Sequence, residues 1–165
     1  MKDRRAGTEE AVVSPGPEEW PRDGSIGSIC RIIARGTARF PLFLARIPAG
    51  FPSPADDYIE GGLDLNELLV RHPAATFFVR VSGDSMIGAG INSGDVLVVD
   101  RAETPRHRSV IIALLNGELT VKRLVREGER AWLVSENPDY APLEVRGAMD
   151  FEVWGVVVHV IHSFR

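Results

Sequence analysis

From residue 76 to its C-terminus the sequence is a succession of short apolar runs broken by turn residues. That rhythm restricts the fold more than any other feature. The runs are 76–81, 96–100, 109–115, 118–125, 131–135 and 151–161, and Gly, Asn, Pro and Asp fall between them. Each is rich in Val, Ile, Leu or aromatic residues and too short for an ordinary helix, which is the signature of strands. The dipeptide Asn116-Gly117, between two such runs, supplies two residues that tolerate positive φ and so predicts a two-residue hairpin. Several short strands at this spacing predict a mainly β fold: antiparallel strands rolled over one another, with one short helix and an extended N-terminal arm. The sequence contains no internal repeat, heptad pattern or Gly-rich phosphate loop.

Upstream the chain changes character. In "DLNELLVRHP", Asp64 can cap a helix, with Glu67 three places on in a capping-box arrangement; Leu65, Leu68 and Leu69 make one apolar face and Pro73 marks the stop. Residues 40–58 carry prolines at 41, 48, 52 and 54. Proline removes donors and pushes its neighbour toward extended geometry, so this stretch predicts an extended connector rather than a regular element. Residues 26–35 suit a short helix or strand. Residues 1–25, rich in Pro, Gly, Glu and Arg, read as a disordered leader. With 165 residues and 44% apolar content, one folded domain is expected, spanning 50–165, preceded by an arm at 26–49.

Charge and cysteine content narrow the function. Net charge is −4, with no overall field to attract DNA or an acidic membrane. The 8 basic and 6 acidic residues of 1–49 contrast with 11 and 17 in 50–165, an arm slightly basic beside an acidic body. Cys30 stands alone, so no intrachain disulfide is possible. No apolar run approaches the ~20 residues of a membrane span, and the N-terminus lacks a secretory apolar core. These features predict a cytoplasmic protein with no membrane attachment and no sequence-specific DNA binding.

Of 19 basic residues, 17 are arginine; the lysines are Lys2 and Lys122. Lys122 lies mid-run in "ELTVKRLV". Lysine can do what arginine cannot: burial lowers its pKa from ~10.4 toward neutrality, and the free amine then accepts a proton. Arg123 beside it points to the opposite face and serves as a generic charge. Ser85 in "GDSM" is the natural recipient of such help, since a lysine base can activate a serine hydroxyl. By itself "GDSM" is ordinary turn material, and a lone lysine is ordinarily a surface residue. His72, His107, His159 and His162 are scattered and read as surface or strand residues rather than catalytic bases. With one cysteine they give little support to zinc, and no cofactor is expected. The segment "IPAGFPSP" places Ala49-Gly50 in a proline-stiffened stretch with small residues on both sides of one bond, a form that a protease cleft accepts; a plain linker has the same composition.

The segment "GFPSPADDYIEGGLDLNELLVRHPAATFFVRVSGDSMIGAGINSGDVLVVDRA" resembles the UmuD proteins of the bacterial SOS response, members of the LexA-like serine peptidases with a Ser–Lys dyad. "GELTVKRL", "NPDYAPLEV" and "VWGVVVHVIH" are similar to the family's later segments, in the same order, and the likeness runs from about Phe40 to Arg165. The resemblance implies Ser85 as nucleophile, Lys122 as general base, backbone N–H groups near Ser85 as oxyanion donors, and Ala49-Gly50 as the scissile bond. It also implies self-cleavage stimulated by RecA on single-stranded DNA, a homodimeric product, and service to a UmuC-like Y-family polymerase in translesion synthesis. Two departures stand out. The leader is longer than the family's, and the scissile pair is Ala-Gly where some UmuD proteins have Cys-Gly.

A LexA-like repressor needs a helix-turn-helix domain before the cleavage site, and 49 residues with no recognition-helix pattern do not supply one. Signal peptidase would need a membrane anchor. A non-catalytic dimeric polymerase accessory and a peptidase acting in trans stay as alternatives, disfavoured because serine, lysine and an Ala-Gly bond share one chain.

Overall fold

The computed structural model describes residues 26–31, 39–43, 59–147 and 149–164. The leader at 1–25 and the Ala49-Gly50 segment lie outside the described residues.

The architecture is mainly antiparallel β. In chain order the elements are β1 (Ile26–Arg31), β2 (Arg39–Phe43), β3 (Ile59–Asp64), α1 (Leu65–Leu69), β4 (Thr76–Val81), β5 (Val96–Asp100), β6 (Val110–Leu115), β7 (Glu118–Glu127), β8 (Arg130–Val134), β9 (Leu143–Val145) and β10 (Phe151–Ile161). Eight strands form one sheet in the order β1-β4-β5-β10-β6-β7-β8-β9, and β2 and β3 make a separate ribbon. Among the described residues, no helix is long and apolar enough to cross a membrane.

Both faces of the large sheet bury side chains. Neighbouring residues on a strand point to opposite sides, so Ile112 joins one cluster with Val79, Val81, Leu97, Val99 and Val121, while Ile111 and Ala113 join another with Leu124, Leu133 and Val156. This explains why β5 and β6 read as continuous apolar runs rather than alternating ones. The long β10 bridges β5 and β6, with register shifts between Val153 and Gly155 and between Val157 and His159. Gly155 is required at that crossing, because a Cβ there would lie 2.6 Å from Val99 Cγ1. The Asn116-Gly117 hairpin is formed as expected: φ is 50° and 86°, both central residues are left-handed, and Leu115 pairs with Glu118.

Upstream, one of the two forms expected within 26–35 is present, and the segments after it depart in part from expectation. Residues 26–31 form a strand, β1, which pairs with β4 along the edge of the large sheet. Residues 39–43 are strand, not connector; Pro41 sits opposite Gly62 in a ribbon of two strands, a setting in which proline is better tolerated than in the middle of a sheet. The helix is a five-residue turn ending at Leu69, short of Pro73. Asp64 caps it by accepting from the Asn66 N–H at 2.8 Å. The capping box is incomplete because Glu67 turns away to Arg39, 3.2 Å distant. Leu65 and Leu68 are 48% and 51% exposed, so the expected apolar face is not buried.

Candidate active site

Ser85 belongs to the loop between β4 and β5, and the loop's own sequence explains its shape. Gly83 takes φ 91°, a bend that a side chain resists. A 3₁₀ turn follows at Ile87–Ala89, closed by Gly90 at φ 73°. Met86 and Ile91, each 2% exposed, sink into the first cluster and fasten the loop at both ends of that turn. Burial of one such side chain stabilises by roughly 1.5–3 kcal/mol. Ser85, next to Met86, is 9% exposed.

A second segment, following β8, holds the loop from outside. The Gly88 N–H donates to the Glu136 carbonyl at 2.7 Å. The Asn137 amide donates to the Asp84 carbonyl at 3.1 Å, and the Tyr140 hydroxyl donates to the Asp84 carboxylate at 2.6 Å. The fit is close at Gly88, where a Cβ would stand 2.5 Å from the Glu136 oxygen.

Lys122 reaches the same place from the middle of β7, opposite Ile111 of β6. Its Nζ lies 3.0 Å from Ser85 Oγ, 3.1 Å from Thr120 Oγ1 and 3.0 Å from the Val121 carbonyl. The ammonium donates to all three. The neutral amine has two N–H donors and one lone pair. Since a carbonyl can only accept, one donor goes to Val121; the other goes to one of the two hydroxyls, and when Thr120 takes it the lone pair faces Ser85. Burial pulls the Lys122 pKa below its ordinary 10.5, because desolvation penalises the ammonium.

The structure therefore brings together two of the four residues singled out in the sequence; Ala49 and Gly50 lie outside the described residues. It adds Thr120, Asn137 and Tyr140, which sequence reasoning passed over. Their signal was faint: Thr120 shares Lys122's face at a spacing of two, and Asn137 and Tyr140 sit in "NPDYAPLEV". Arg123 is more than a generic charge. It pairs with Glu136 and donates to the Arg108 carbonyl at 2.7 Å, tying β7 to the segment that holds the serine loop.

Three histidines have other partners. His72 Nδ1 is 2.6 Å from Asp100, His162 Nδ1 is 2.6 Å from Asp95, and His107 accepts from the Arg126 N–H at 3.0 Å. Among the described residues, no three His, Cys, Asp or Glu side chains converge as a metal would require.

A β-rich frame carrying a serine and a desolvated lysine in contact is a serine peptidase frame, and comparison with known proteins agrees. Residues 41–158 match the family described as Peptidase S24-like, and the chain belongs to that family. Within it the chain is UmuD-like. It is 51% identical over 126 residues to the protein ImpA of Escherichia coli, covering 76% of this chain and 85% of that one. It is 48% identical over 120 residues to the protein MucA of Escherichia coli, covering 72% and 82%. More distantly it is 35% identical over 156 residues to the LexA repressor of Pseudomonas chlororaphis, covering 94% and 69%.

Proposed function

We propose that this chain is an SOS-response mutagenesis protein that cuts itself once, between Ala49 and Gly50, using Ser85 as nucleophile and Lys122 as general base. The observation that carries the reading is the 3.0 Å contact of a partly buried amine with a serine hydroxyl.

The chemistry follows from the donor set. Neutral Lys122 takes the Ser85 proton as Oγ attacks the Ala49 carbonyl carbon. The resulting oxyanion needs N–H donors. Within the loop, the Ile87, Gly88, Ala89, Gly90 and Ile91 N–H groups are spent on carbonyls. Those of Ser85 and Met86 lie outside that set and serve the oxyanion. The Lys122 ammonium then gives its proton to the Gly50 nitrogen, and the C–N bond breaks. An ester of Ala49 on Ser85 remains, with Gly50 as a new N-terminus. Water, deprotonated by Lys122, hydrolyses the ester and frees Ser85.

The finer biology rests on the resemblance to UmuD and on similarity to ImpA and MucA. RecA on single-stranded DNA stimulates the cut in the cytoplasm, and the product, residues 50–165, dimerises and serves a UmuC-like Y-family polymerase in translesion synthesis. Purified protein incubated at alkaline pH, or with RecA, ATP and single-stranded DNA, yields a fragment whose N-terminal sequence begins Gly50-Phe51-Pro52. A fragment starting elsewhere, or an equal yield from Ser85→Ala, overturns the assignment.

A further inference from the structure

We propose that Asn137 is a positioning residue for the oxyanion site, acting through the Asp84–Ser85 peptide plane; the proposal rests on the self-cleavage reading above. The Asp84 carbonyl and the Ser85 N–H belong to one planar unit and point in opposite directions. Whatever fixes the carbonyl therefore aims the N–H. The Asn137 amide donates to that carbonyl at 3.1 Å, and the Ile87 N–H donates to it at 3.2 Å.

Asn137 is itself held rigidly. It is 6% exposed, its Oδ1 accepts from the Asp139 N–H at 3.1 Å, and its own carbonyl accepts from the Tyr140 N–H at 3.2 Å. Each end of the amide has one partner of the matching kind, so a flipped amide would put oxygen against oxygen and N–H against N–H. The side chain spans the gap between the turn after β8 and the nucleophile loop, joining positions 53 residues apart. An oxyanion donor is effective only when aimed before the charge develops, and Asn137, from outside the loop, supplies that aim together with the Ile87 N–H within it.

Tyr140 provides the internal contrast. Its hydroxyl grips the Asp84 side chain rather than the peptide. Hydrogen bonding to the Asp84 carboxylate raises the Tyr140 pKa above its ordinary 10.0, so the phenol holds the proton that it donates more firmly than a free tyrosine does. Losing it leaves the carbonyl pinned by Asn137.

The test is the self-cleavage rate of the full chain as a function of pH for the unsubstituted protein, Asn137→Ala, Asn137→Asp and Tyr140→Phe, with thermal melting alongside. Asn137→Asp is isosteric. It keeps the acceptor for the Asp139 N–H and loses the donor to Asp84, so it carries the test if the alanine variant fails to fold. The expected result is a plateau rate lowered by about 10- to 100-fold in both Asn137 variants, the scale of an impaired oxyanion donor, and by less than about threefold in Tyr140→Phe. The pH midpoint should stay at the unsubstituted value in Asn137→Ala and Tyr140→Phe, because Lys122 keeps its surroundings; Asn137→Asp adds a carboxylate that favours the ammonium and moves its midpoint up, so it is compared at its plateau. A role in merely holding the fold would instead move the midpoint of Asn137→Ala or the melting temperature along with the rate. A folded Asn137→Asp protein that cuts within twofold of the unsubstituted chain, or one whose deficit vanishes at high pH, overturns this inference alone. An unsubstituted chain that never cuts overturns the peptidase reading, and this inference with it.

Discussion

Ser85 and Lys122 meet at 3.0 Å from positions 37 residues apart, and the chain supports them by opposite means. Lys122 sits in the interior of a ten-residue strand flanked by β6 and β8, so ladder hydrogen bonds fix its backbone with no special residue. Ser85 sits in a loop with no ladder. Its place depends on separate devices: a left-handed Gly83, the buried anchors Met86 and Ile91, and the outside grip of Gly88, Asn137 and Tyr140. Under the proposed mechanism a regular element carries the base and an irregular one the nucleophile, since a loop can leave N–H groups outside any ladder beside the attacking oxygen. Damage to the strand should therefore act through proton transfer, and damage to the loop through geometry.

The sharpest break is Ser85→Ala. It should lower self-cleavage on the order of 10⁴-fold or more, read as disappearance of the Gly50 fragment by mass spectrometry, with melting temperature little changed because Lys122, the partner of its hydroxyl, keeps Thr120 and Val121.

Lys122 comes next. Lys122→Met and Lys122→Arg should both lose at least about 10³-fold in rate, and arginine should give no rescue at any pH because its guanidinium does not deprotonate. Their stabilities separate the two aspects of the residue. The folded pKa of Lys122 is lowered, so between that value and 10.5 the unfolded chain holds more protons and stability rises with pH. Urea melts across that window should show the rise in the unsubstituted protein and its absence in Lys122→Met, which at neutral pH should be at least as stable.

The rate profile sharpens the comparison further. Log rate should climb with unit slope as pH rises and level off at a midpoint below 10.5, set by desolvation of the amine. Thr120→Val removes an acceptor of the Nζ protons. It should move that midpoint down, since the ammonium loses more than the amine, and cut the plateau about tenfold, the rate equivalent of one hydrogen bond of ~1.4 kcal/mol. A midpoint moving up would show that Thr120 supports the neutral form instead.

The smallest effect belongs to the loop's outer contact. Gly88→Ala forces a methyl toward the Glu136 carbonyl and should cost about 1–3 kcal/mol of stability by denaturant titration. Its cleavage rate should fall severalfold with the pH midpoint unchanged. A shifted midpoint would mean that loop and strand are not independent.

Much of this frame was legible in advance where local chemistry and tertiary demand coincide. The runs 76–81 and 96–100 are β4 and β5 residue for residue. Others failed for identifiable reasons. β9 is three residues long, flanked by a proline and by Arg146, too short to show a period of two. β2 hid behind Pro41, a signal correct about the missing donor but silent about a ribbon of two strands that admits it. At the helix, the pattern of Asp64 and Glu67 was real, yet Arg39 offered Glu67 a charged partner that a local rule cannot see. Thr120 and Asn137 eluded sequence reading because a threonine in a strand and an asparagine in a turn are what any β protein contains.

By itself the sequence determined the sheet's composition, its hairpin, and the oddity of one lysine among arginines in the body of the chain. Those are local or compositional properties, set by side-chain shape, φ preference and pKa. Only the tertiary structure decided that Lys122 faces Ser85, that Thr120 and Val121 take up its donors, and that Asn137 pins the peptide before the serine. Contacts across 37 and 53 residues depend on how strands far apart in the chain share a sheet and where their loops then fall, and no local preference encodes that.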